Sequence, residues 1–110
     1  DRLNVDTKIF EVVQKMVYSD LFSENDINLF ASKITKNPVL TESILKANTQ
    51  LFPNSPIAFL NYGDFVELSG KKDEALKILK RAVDIAATIN APYLEGLIKR
   101  YEQSQKTEKQ

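Results

Sequence analysis

Apolar residues recur along this chain with the spacing of a helix face, most regularly between Pro56 and Ile89. Phe59, Tyr62, Gly63 and Val66 fall at i, i+3, i+4 and i+7, and Ala75, Leu79, Ala82 and Ala86 at i, i+4, i+7 and i+11. Each set lies on one side of a 3.6-residue helix. Between them, Ser69-Gly70-Lys71 reads as a turn. Gly63 on one face and Ala75 and Ala82 on the other are small enough to let two helices approach closely. The stretch predicts a helix hairpin with a tight antiparallel seam.

The same pattern extends to both sides. Residues 1–5 form a lead-in, and Asp6 is placed to cap a helix running to about Tyr18. Its apolar residues, Ile9, Phe10, Val12, Val13, Met16 and Val17, cover more than half its circumference, so it needs contacts on two sides. Ser23 caps a second helix with Ile27, Phe30, Ala31 and Ile34 on its buried face and acids in its first turn. Asn37 caps a third helix whose first residue is Pro38 and whose face is Leu40, Ile44, Ala47 and Leu51. Ser55 and Pro56 open the fourth helix in the same way, and the fifth follows the Gly70 turn. A sixth helix over 91–103 has Tyr93, Leu94, Leu97, Ile98 and Tyr101 on one side. Residues 104–110 carry no apolar side chain and are expected to fray as a polar tail.

Composition agrees with an all-α chain and narrows the chemistry. The 110 residues include only 3 glycines and 4 prolines, and the prolines sit at helix starts or turns. Fifteen basic residues balance 15 acidic ones, so no general attraction to nucleic acid or to an anionic membrane is expected. No apolar run approaches the length of a membrane span, and no signal-peptide pattern is present. Cysteine and histidine are both absent, which removes thiolate nucleophiles and the commonest general base and metal ligand. No GxSxG elbow or glycine-rich phosphate loop occurs. No catalytic residue, cofactor or metal site is expected. The chain opens on Asp1 rather than Met, which reads as a piece of something longer.

Pro56–Ile89 resembles a tetratricopeptide repeat, a helix-turn-helix unit of 34 residues. With Pro56 as the first repeat position, Gly63, Gly70, Ala75 and Ala82 match the usual residues at the usual spacing, and Phe59 and Leu79 hold the large positions. Ala87 stands where the closing proline is usual, so the second helix is expected to run on. A degenerate repeat covers 22–55, with Leu29, Thr41 and Asn48 where small residues are usual. The resemblance implies a right-handed α-solenoid of about six helices: a single domain over 1–103, closed by a capping helix at 91–103.

The resemblance further implies a concave groove lined by the first helix of each repeat, here at Ile57, Leu60, Asn61, Asp64, Glu67 and Leu68. Two readings of these residues stand. Ile57, Leu60 and Leu68 pack against the first two helices, or all six line a groove for a peptide or helix. Asn61 matches an asparagine of the carboxylate-clamp subfamily, but Leu60, Ala91 and Glu95 stand where that clamp needs cations. Lys77, Lys80 and Arg81 cluster on one helix, but with acids among them and no interleaved aromatics they read as a solvated face. The implied function is a non-catalytic protein-interaction module with a protein or peptide partner. The alternative is a C-terminal structural or dimerising appendage of a larger enzyme, such as a bacterial α/β-hydrolase esterase, docked on its parent catalytic domain or on a second copy.

Overall fold

The helical spacing of the sequence is realised as helix. A computed structural model of the chain describes residues 2–18, 23, 24, 26, 27, 31 and 37–109. Five helices lie wholly within them: α1 (Arg2–Tyr18), α2 (Pro38–Leu51), α3 (Pro56–Leu68), α4 (Lys72–Thr88) and α5 (Leu94–Lys109). No strand occurs among the described residues. The helices gather into two compact units, Asp1–Pro53 and Asn54–Gln110.

In the first unit α1 packs on α2. Asp6 does not cap α1, which starts four residues earlier, at Arg2. Instead its Oδ1 accepts from Ser43 Oγ at 2.5 Å and its Oδ2 from Lys46 Nζ at 3.1 Å, tying α1 to α2. The cap of α2 is as expected, with Asn37 Oδ1 accepting from Leu40 N at 3.1 Å and Pro38 in the first turn. Ser23 and Asp26 form a reciprocal capping box, each accepting from the other's backbone N–H, at 3.2 and 2.9 Å. Glu24, Asp26, Ile27 and Ala31 are helical, and Ile27 and Ala31 are fully buried. Phe22, Leu29, Phe30 and Ile34, which also figure in the expected second helix and repeat, lie outside the described residues. Asn48 is fully buried, and its Nδ2 donates to Glu24 O at 3.4 Å.

In the second unit α3 and α4 form the hairpin. Val66, Ala75, Ala82 and Ala86 are fully buried at its seam. A Cβ on Gly63 would stand 2.8 Å from Leu79 Cδ2 and 2.9 Å from Leu79 Cγ, so the helices meet where that side chain is missing. Ser55 Oγ caps α3 by accepting from Ala58 N at 3.2 Å. Helix α3 stops in a Schellman motif, with Gly70 at φ +89°, Lys71 N donating to Val66 O at 3.2 Å and Gly70 N to Glu67 O at 3.0 Å.

Helix α4 includes Ala87, where the closing proline is usual, and ends the same way just beyond it, at Thr88. Ala91 N donates to Ala86 O at 2.9 Å and Asn90 N to Ala87 O at 3.2 Å, with Asn90 at φ +52°. Asparagine tolerates this left-handed backbone better than most residues. The turn places α5 at Leu94, three residues later than the sequence suggests, and its Leu97 packs with Ala86 and Ala91. The expected polar tail is helical through Lys109. Residues 103–109 contain neither glycine nor proline, and a Gln105–Tyr101 hydrogen bond of 3.2 Å spans one turn.

The seam and the left-handed cap each set a stability expectation. Alanine is the better helix former at position 63 by about 1 kcal/mol, yet Gly63→Ala should destabilise by about 1–3 kcal/mol because Leu79 is packed and must move. In a Leu79→Ala background the same change should cost less. Denaturant midpoints of the four species check this, and a Gly63→Ala protein as stable as the parent overturns the seam. At the α4 terminus, Asn90→Gly should raise stability by about 0.5–1 kcal/mol and Asn90→Val lower it by about 1–2 kcal/mol. Melting temperatures that fail to rank Gly above Asn above Val contradict the left-handed cap.

Candidate functional site

Helix α3 carries all six groove candidates, and α5 lies across part of the face they occupy. Leu60 packs, half-buried, against the Ala86, Ala91 and Leu97 cluster, so part of its apolar surface serves the core. Ile57, Leu60 and Asp64 also line a shallow pocket of about 300 Å³ that is completed by Tyr93, Gly96, Leu97 and Arg100. Glu67 and Leu68 line a second hollow of about 410 Å³ with Lys72, Arg100, Gln103 and Ser104. Leu68 is 87% exposed, an apolar side chain left almost wholly in solvent. Asn61 is half-buried and lines neither hollow.

Arg100 stands between the two hollows. Its Nη2 donates to Asp64 Oδ1 at 2.8 Å and to Glu67 Oε1 at 2.6 Å, while Nη1 donates to Ser104 Oγ. Ser104, only 3% exposed, donates in turn to the Glu67 carboxylate. That bond holds Glu67 below the usual carboxylate range; burial works the other way, and the hydrogen bond and charge of Arg100 add to the depression. Asp64 is displaced in the opposite direction. Burial pushes its carboxyl up, and the charge and hydrogen bond of Arg100 offset only part of that rise, while Glu67 adds to it. Burial pulls the Arg100 guanidinium down, but its bonds and attraction to the two acids outweigh it and raise it overall.

The resemblance places Asp64 and Glu67 in the groove, but the sequence assigns no site role to Arg100, Ser104 or Gly96. The available signal was spacing. Arg100 follows Glu67 by 33 residues and Asp64 by 36, close to one 34-residue period, which sets helix against helix. The cluster on α4 is engaged locally, as a solvated face would be. Lys80 Nζ pairs with Asp84 at 3.1 Å, and the Arg81 guanidinium lies 6.0 Å from the Phe59 ring centroid. Among the described residues no three acids gather as metal ligands, and no helix is long and apolar enough to cross a membrane.

No protein-family model, curated protein or solved structure matches the chain, so the reading of the site rests on its own geometry and charge. The opposite displacements of the two carboxyls set a test. A carboxyl depressed in the fold contributes stability above its ordinary value of 4.5, and that contribution is lost as pH falls through the folded value. Glu67→Gln should therefore cost about 1 kcal/mol at neutral pH, reduced by its partial exposure, and nothing in strong acid. Asp64 carries the reverse sign, because ionising it is unfavourable in the fold, so Asp64→Asn should leave stability unchanged or slightly higher at neutral pH. Thermal melts across the acid range check both. A Glu67→Gln deficit that persists in acid, or an equal loss in the two variants, contradicts this account of the network.

Proposed function

We propose that the chain is a non-catalytic protein-interaction module of tetratricopeptide-like helix pairs, which takes a peptide or helix segment on the face shared by α3 and α5. The observation that carries the reading is the pocket of about 300 Å³ lined by Ile57, Leu60, Asp64, Tyr93, Gly96, Leu97 and Arg100. It joins apolar walls to a few polar groups, the composition typical of recognition sites. Its Tyr93 is 39% exposed, the kind of rigid amphipathic side chain that anchors partners at interfaces. Gly96 leaves an opening, since a Cβ there would meet nothing within 4 Å. The seam of small residues at Gly63, Ala75 and Ala82 and the glycine turn at Gly70 support the repeat-like assignment of the hairpin.

The open space above Gly96 provides a clean block. Gly96→Phe should fill the pocket while keeping the fold, because phenylalanine is a better helix former than glycine and its Cβ displaces no neighbour. Peptides selected from a random linear library against residues 1–110 should lose at least about tenfold in affinity for Gly96→Phe, with the melting temperature unchanged or raised. Selected peptides that bind the parent and Gly96→Phe equally would place recognition elsewhere.

A further inference from the structure

The pocket on α3 and α5 also indicates which side chain it takes, an inference that rests on its being the proposed peptide groove. Its apolar walls are Ile57, Leu60, Tyr93 and Leu97, with open space over Gly96. Of its lining residues only Asp64 and Arg100 are charged, and they are bonded to each other at 2.8 Å. Opposite charges so close leave the pocket without an uncompensated charge to present to a ligand. The turn that delivers Tyr93 continues the uncharged surface: residues 85–94 include no charged side chain, and Ile89 among them is 52% exposed. We propose that the pocket receives an uncharged apolar side chain of the bound peptide, such as leucine or phenylalanine, and that the Asp64–Arg100 pair turns away charged side chains of either sign.

Each class of anchor meets the pair differently. An apolar side chain covers apolar wall and gives up no polar hydration of its own. Asp64 and Arg100, at 41% and 29% exposure, meanwhile stay partly in water and bonded to each other. An acidic side chain would find two of the five N–H donors of Arg100 uncommitted among the described residues. It would reach them only beside Asp64, with Glu67 on the same guanidinium nitrogen. A basic side chain would be drawn to Asp64 and repelled by Arg100, and attraction to a carboxylate that is partly exposed and already paired is worth little. Either charged head would also lose water against apolar walls. Selectivity of this kind comes from unfavourable placements as much as from favourable contacts.

The test uses the same peptide selection on residues 1–110, with Asp64→Asn as the second variant; asparagine can still accept from Arg100 at Oδ1, and a thermal melt confirms that it folds. Peptides that are sensitive to Gly96→Phe should share one apolar residue. Replacing it by alanine should weaken binding at least about tenfold, and replacing it by lysine or by glutamate should weaken it further. On Asp64→Asn the glutamate peptide should regain about tenfold, while the apolar peptide binds as before and the lysine peptide gains nothing. Pocket-directed peptides anchored by a charged residue, or lysine or glutamate peptides that bind as well as the apolar one, overturn the apolar pocket and leave the groove standing. A glutamate peptide indifferent to Asp64→Asn overturns the part given to the ion pair. Absence of any peptide sensitive to Gly96→Phe overturns the groove itself, and the apolar pocket with it.

Discussion

The second unit depends on the close approach of Gly63 to Leu79. A Cβ at position 63 would sit 2.8 Å from Leu79 Cδ2, so the distance between α3 and α4 exists only because that atom is absent. The rest of the unit builds on it. With the seam closed over Val66, Ala75, Ala82 and Ala86, α4 ends where Asn90 can turn left-handed and direct Ala91 back into the core. Leu97 then seats on Ala86 and Ala91. Once Leu97 is fixed, Arg100 lies one turn further along α5, within reach of Asp64 and Glu67. A small-residue seam thus sets the position of a charge that contributes nothing to the seam.

The first unit holds together by other means. Its α2 buries Thr41, Ser43, Asn48 and Thr49 beside Ile44 and Ala47, and links to α1 through Asp6, Ser43 and Lys46. Buried hydrogen bonds of this kind add only about 1 kcal/mol each in net terms but are costly to leave unmade. They fix which residues face each other more than they add stability. In the second unit the specifying feature is steric, a missing methyl group against a packed leucine.

What the sequence revealed and what it concealed divide along these lines. The hairpin, its glycine turn and the caps at Ser55 and Asn37 were legible because each depends on residues three or four apart. Asp6 was misread because a carboxylate near a helix start has two uses, capping its own helix or bonding to another, and only the partner at Ser43 decides between them. The tail was misread because absence of apolar residues argues against packing but not against helix, and Ser104 is buried through polar bonds. The groove residues were named from one helix. Arg100, which engages two of them, lies on another, and the pattern along one helix face does not reveal which residue of a second helix will meet it.

The Arg100 network also divides its two acids by the sign of what burial and pairing do to them. Glu67 is held by Ser104 and Arg100 and stabilises the contact between α3 and α5. Asp64 shares the same guanidinium nitrogen yet is disfavoured as an anion where it stands. A neutral residue at 64 would serve the contact between the helices as well. Glu67 thus locks the helices together, while Asp64, on the same guanidinium nitrogen, adds little to that lock.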